Sequence, residues 1–417
     1  MKQKNYGMKI SIIACLTVQL CIGILYLWSV YRAPVVAYYN WTVPAATMVS
    51  SYMIFAFVIG NLIGGFAQVR MNPKTVATIG CAVFCSGLIM TSFLTAETVQ
   101  FMYLTYSVIS GLGCGFAYGS VLFCVIRWLP HRRGFASGLS ASAFGLSTVV
   151  FSPVSKWLLG LEAFGADAVP MTFRTLGIIF LVVSMISCMF IRQPSKEYVK
   201  SLNLPAAATA ITGKGPKEVT KTPAFWCIFL CSFLLTGLWL ILVPLMADLG
   251  MDKGLSSNLA VLTVSLTGIT NAAGRLLLAS LSDKIGRIRT VQLLGLLTII
   301  CAMGILTFAG VAYMALVLIV AMTYGGASSV FPALTTDLYG PKFASINYGI
   351  ILLSIGFSSI IFNAVSNTLI GNTGGYSMSF VLAACSGLVS ILLMVYVNRV
   401  FKQQTEQAYV SAAPAAE

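Results

Sequence analysis

Charge is scarce in this chain. Of its 417 residues only 9% are Asp, Glu, Lys or Arg, against 58% that are hydrophobic, whereas a soluble globular protein carries roughly 25% charged residues. A soluble core of this length cannot absorb so much apolar surface. Histidine occurs once, as His131, and the eleven acidic residues avoid the middle of every long apolar run. No HExxH, no GxSxG and no His/Asp pair lies within those runs, so metal-assisted and nucleophilic hydrolysis lack their working residues, and an enzyme is not expected. There is no CxxC either. The eleven cysteines are scattered singly, with helical i,i+4 pairs such as Cys81/Cys85 and Cys227/Cys231, which is the pattern of small apolar packing groups rather than of metal or disulfide frameworks. No cofactor is expected.

What is abundant is apolar sequence long enough to cross a bilayer. Runs near or above about 20 residues recur, each sufficient for a helix across about 30 Å of hydrocarbon. They fall at 10–31, 45–66, 75–94, 101–126, 134–159 and 173–191, and again at 224–247, 257–281, 291–309, 311–334, 345–370 and 377–397. The expected fold is an all-α membrane protein of twelve spans in two six-helix bundles.

A formal charge of +14 could suggest nucleic acid, but the basic residues sit in short loops and form no stripe. All but five of the 25 Lys and Arg fall on the side of the two termini; the exceptions are Arg32, Lys156, Arg174, Lys253 and Arg275. By the positive-inside rule that side is cytoplasmic, so the basic excess is a topogenic signal. The short loops suit a bacterial inner membrane, and a monomer is expected. The basic start of the first span looks like a signal peptide, yet the span is too long and no small-residue cleavage site follows.

One polar stretch, with Pro194, Pro205, Pro216 and five lysines, reads as a cytoplasmic linker. It gives a bundle at 1–191, a linker at 192–222, a second bundle at 223–400 and a tail at 401–417. Three features repeat across it. Tyr118-Gly119 matches Tyr324-Gly325, Phe135-Ala136-Ser137 matches Phe343-Ala344-Ser345, and the loop 65–74 matches 279–288, at offsets of 206, 208 and 214 residues. Such a repeat implies two halves related by an axis along the membrane normal, with a site between them and alternating access by rocking.

The loop Asp283-Lys284-Ile285-Gly286-Arg287-Ile288-Arg289 resembles the cytoplasmic loop motif G-x-x-x-D-[RK]-x-G-R-[RK] of the major facilitator superfamily. Gly286 permits a tight turn, and Asp283 can pair with a basic group or a helix end in the other half. Asp283, Lys284, Gly286 and Arg287 are therefore expected to form a cytoplasmic latch. In the first half the motif's Asp and second Gly are Val69 and Asn72, so the latch should depend on Asp283.

Arg275 lies inside the eighth span, where a guanidinium costs several kcal/mol unless it meets protein, water or an anion. The nearest acids, Asp248 and Asp337, are at helix ends. The substrate can supply the anion, since guanidinium binds carboxylate bidentately, and Asn271 lies one turn away on the same face. The alternative is that Arg275 snorkels toward the loop or pairs with Asp283.

Tyr26-Leu27-Trp28-Ser29-Val30-Tyr31 with Pro34, the stretch Arg127 to Gly138 between the fourth and fifth spans, and Asn271 with Arg275 together resemble the oxalate:formate antiporter family, which is akin to the monocarboxylate transporters. The resemblance covers nearly the whole chain. It implies that Arg275 is the carboxylate ligand and that Tyr26, Tyr118 and Tyr324 line a central cavity. Oxalate carriers of that family hold the second carboxylate with a lysine on the eleventh span, and the matching position here is Ile355; two positions aromatic in the oxalate carrier are Ser328 and Leu352. One cation without a second leaves half of a dianion uncompensated. The expected substrate is accordingly a monocarboxylate such as lactate, pyruvate or formate, with Leu352 and Ile355 against its carbon chain. A dicarboxylate carrier with a different second cation is the alternative, and a non-transporting sensor on the same fold a remoter one. With no central carboxylate, anion exchange is favoured slightly over proton symport; the partners are then a small carboxylate anion, a proton in the symport case, and the lipid bilayer.

Overall fold

The computed structural model describes residues 2–195, 197–198 and 213–412, with the side chains of 2–6, 402–412 and several others, Tyr26 and Asp248 among them, outside the description. The middle of the expected linker, residues 196 and 199–212, lies outside it too.

Among the described residues the ordered elements are all helical. The first bundle contains α1 (Lys2–Ile22), α2 (Trp28–Tyr39), α3 (Val43–Arg70), α4 (Pro73–Thr91), α5 (Ser110–Trp128), α6 (Arg133–Leu159) and α7 (Ala168–Phe190). A short α8 (Pro216–Val219) leads into the second bundle of α9 (Pro223–Asp252), α10 (Ser257–Ile285), α11 (Arg287–Thr307), α12 (Gly310–Tyr339), α13 (Ala344–Thr373) and α14 (Ser377–Ala412). Among the described residues eleven helices are long and apolar enough to cross a membrane. Their outward faces carry exposed Ile63, Phe66, Val182, Ile186, Leu230, Ile300 and Leu392, as a lipid-facing surface requires.

The first span differs from the unbroken helix read from hydropathy. A 3₁₀ turn, Gly23–Leu27, separates α1 from α2, which runs on to Tyr39. Gly23 is wedged against the Phe144 carbonyl of α6, and Tyr26 falls within that turn. The fourth span likewise begins with a π-helical segment, Tyr103–Ile109. Such irregular turns recur at functional positions because they re-aim side chains.

Local chemistry fixes the helix ends. The Asn72 side chain accepts from the Lys74 amide at 3.2 Å and Pro73 opens α4, while Ser256 accepts from the Leu259 amide at 3.4 Å to start α10. Gly286 has φ 94°, a conformation that favours glycine, and this lets α11 follow α10 with one intervening residue. Within each bundle glycines bring backbones together. A side chain on Gly60 would meet the Leu112 carbonyl of α5, and one on Gly274 the Met322 carbonyl of α12. Small residues at such crossings are how helices pack where hydrophobic drive is absent.

The bundles meet along two seams, α6 against α10 and α3 against α13. These are the fifth span on the eighth and the second on the eleventh, the pairing a twofold axis between the bundles would generate.

Candidate substrate site and the seams beneath it

Arg275 sits at the first seam, 3% exposed. Its Nε donates to Asn271 Oδ1 at 2.9 Å, and its Nη1 crosses to the Ala141 carbonyl of α6 at 3.0 Å. Asn271 therefore orients the guanidinium by accepting from it. Neither of these partners is charged. Gly145 leaves room beside the guanidinium, since an added Cβ would stand 3.5 Å from Nε. Gly138 packs on the Arg275 backbone carbonyl so closely that no side chain fits there. Ser142 Oγ donates to the Ala272 carbonyl at 2.8 Å, and Ser137 Oγ to the Ser329 carbonyl at 2.7 Å, so four residues of α6 bind the second bundle around Arg275.

Below this, at the end carrying the linker, the seam is charged. Asp283 accepts from the backbone amides of Gly134 and Phe135 at 2.9 and 2.7 Å, placing a carboxylate on the positive N-terminus of α6. Arg287 holds Asp283 at 2.6 Å and Asp337 at 2.8 Å, and Asp337 also receives Arg133 of the first bundle at 2.8 Å. Lys284 is exposed beside them. Arg133 and Asp337 were not among the expected latch residues. Arg133 opens α6 and Asp337 lies in the last turn of α12, and only the folded chain brings them together.

Among the described residues the second seam has no such carboxylate. Gln68 Nε2 donates to Ser345 Oγ at 2.7 Å, and Phe123 meets Tyr348 edge-on at 6.0 Å. Where the repeat would put an Asp stands Val69, which is exposed.

The aromatic residues divide. Tyr118 is buried edge-on against Phe57 at 5.3 Å and Phe144 at 5.0 Å. Tyr324, its match in α12, stacks on Trp239 at 5.5 Å and 23°. The Tyr26 side chain lies outside the described residues. On α13, Leu352 is buried and Ile355 half-buried, and both pack in the central apolar cluster.

The family model for the Major Facilitator Superfamily matches residues 12–363. The chain belongs to this superfamily. Solved members share the architecture: the proton:xylose symporter XylE bound to 6-bromo-6-deoxy-D-glucose superposes with a TM-score of 0.72 at 14% identity, covering 94% of this chain and 96% of that one. FucP in its outward conformation gives 0.71 at 12% identity, covering 94% and 99%. Among sequence relatives, the oxalate:formate antiporter of Oxalobacter formigenes is 26% identical over 393 residues, 93% of this chain and 90% of that protein. Monocarboxylate transporter 13 of Bos taurus is 24% identical over 91% of this chain and 86% of its own, and apicoplast pyruvate carrier 1 of Toxoplasma gondii 22% over 94% and 88%. This facilitator is thus a multi-pass membrane transporter, with Arg275 at the meeting of its two bundles.

Proposed function

We propose that this facilitator exchanges small monocarboxylates across the cell membrane by rocking its two bundles about the Arg275 level. The observation that carries the reading is a deeply buried guanidinium held at a bundle junction by a carbonyl and an amide oxygen. A carboxylate offers the same fork two charge-assisted acceptors in place of one neutral carbonyl, so it displaces Ala141 and loosens the first seam as it binds. Binding and conformational change then share one bond, which is what coupling of substrate to transport requires.

The relatives support the substrate class, since an oxalate:formate antiporter, a monocarboxylate transporter and a pyruvate carrier align over nearly the full chain. Ile355 and Leu352 on α13 offer a carbon chain apolar contact and no second cation, which favours a monoanion over oxalate. Tyr118 and Tyr324, matching positions on opposite bundles, serve in this reading as side walls of the site.

Orientation follows from charge. The linker end holds the basic loops, which supports a cytoplasmic position for it, with Asp283, Arg287, Asp337 and Arg133 acting as the latch on that side. The protein works as a monomer, with one site per chain. Ligand binding to the detergent-purified protein tests the reading. Pyruvate, lactate or formate raises the melting temperature of the wild type, and Arg275→Lys, which keeps the charge but loses the fork, weakens that shift at least tenfold. Stabilisation by oxalate alone overturns it.

A further inference from the structure

The internal repeat places one residue opposite Arg275. Gly60-Asn61-Leu62 in α3 and Gly274-Arg275-Leu276 in α10 are 214 positions apart, the offset of the loops that follow them, and Ala141 and Gly349 are 208 apart, the offset between α6 and α13. The folded chain repeats the pairing. As Arg275 reaches Ala141 across the first seam, Asn61 abuts Gly349 across the second, where an added Cβ would lie 3.4 Å from Oδ1. Gly119 stands on another side, its Cβ position 2.9 Å from Nδ2. Asn61 is 0% exposed, and neither Nδ2 nor Oδ1 has a hydrogen-bond partner among the described residues. A dehydrated amide with both groups unpaired is costly and rare, and calls for a partner in some other state.

We propose that Asn61 is a second, neutral ligand of the transported anion, acting from the opposite side of the twofold axis to Arg275. It selects monocarboxylates that carry an oxo or hydroxyl group beside the carboxylate. The inference rests on the monocarboxylate reading above and adds a residue and a selectivity to it. An amide suits the task because Nδ2 donates to an oxo oxygen while Oδ1 accepts from a hydroxyl. It also carries no charge, so the pair Arg275 and Asn61 matches one negative charge and not two. Both residues are held in the seams in this state, and Gly119 and Gly349 flank Asn61 without side chains, so parting of α3 from α13 uncovers the amide. The ligand set is completed as the bundles rock, and a substrate that engages both residues relieves one seam and satisfies the other.

The test is competition in proteoliposomes exchanging pyruvate, with pyruvate, lactate and propionate as inhibitors; propionate has the same three carbons and no second oxygen-bearing group. In Asn61→Leu, pyruvate and lactate lose about tenfold in affinity, the value of one hydrogen bond at the upper end of its range, and propionate changes less than twofold. Equal changes for all three, or none, overturn the proposal. Should the Leu variant fail to fold, Asn61→Ser, which keeps one donor and acceptor on a shorter arm, must narrow the pyruvate-to-propionate ratio, and an unchanged ratio overturns it equally. Failure of the wild type to exchange any monocarboxylate would be seen before any variant is made, and would remove the substrate reading itself.

Discussion

Asp283 at the end of α10 hydrogen-bonds the backbone amides of Gly134 and Phe135 in the first turn of α6, so a carboxylate of one bundle caps a helix of the other. Carboxylate-to-amide bonds of this kind contribute about 1.5–3 kcal/mol, less at a partly hydrated site. Asp283→Asn keeps the shape and loses the charge. Amide hydrogen exchange in residues 133–137 should accelerate about tenfold in that variant, and unchanged protection there would show that the cap does not hold the seam.

Gly138 offers a steric probe of the same closure. A side chain at this position meets the Arg275 carbonyl, with Ala279 Cβ and Leu276 Cα 3.0 Å away. Gly138→Leu should prevent the linker end from closing. Distance measurements between spin labels on the linker-end loops of α3 and α13, and of α6 and α10, should lose the short-distance population seen in the wild type.

Asn271 accepts from Arg275 Nε, which makes two substitutions at one position informative. Asn271→Ala removes an orienting bond of about 1 kcal/mol and should weaken anion binding about fivefold. Asn271→Asp adds a charge one helical turn from the guanidinium and neutralises it, so binding should fall by far more. Equal losses in the two variants would mean that the amide merely fills space.

Ile355 tests the charge argument by gain of function. Ile355→Lys supplies a second cation on α13. Oxalate should then compete for the site where it did not before, while affinity for pyruvate falls as desolvating an unpaired ammonium becomes part of binding. Absence of any oxalate competition would show that position 355 does not face the anion.

Much of this architecture is legible in the linear sequence because the bilayer imposes it. Apolar length sets the spans, and the repeat exposes the two bundles. Gly286 could be named because a turn with positive φ leaves a glycine signature, and Asp283 because a motif carries it. Other features are beyond reach of pattern. The break at Gly23–Leu27 leaves no trace in hydropathy, since Gly23 is shaped by its contact with Phe144 in another helix. Ala141 is an ordinary residue by type and matters only through its carbonyl. Arg275 stands out as a charge among apolar residues, whereas Asn61, neutral and unremarkable in sequence, is noticed only when its buried amide is seen to lack hydrogen-bond partners among the described residues.

Whether one buried cation serves a monocarboxylate is decided by counterflow in proteoliposomes loaded with pyruvate, lactate, formate or oxalate, comparing the wild type with Arg275→Ala. The wild type should exchange at least one monocarboxylate rapidly and oxalate little, and the variant should lose at least a hundredfold. Robust oxalate exchange by the wild type, or monocarboxylate exchange that survives without Arg275, would contradict a one-cation site.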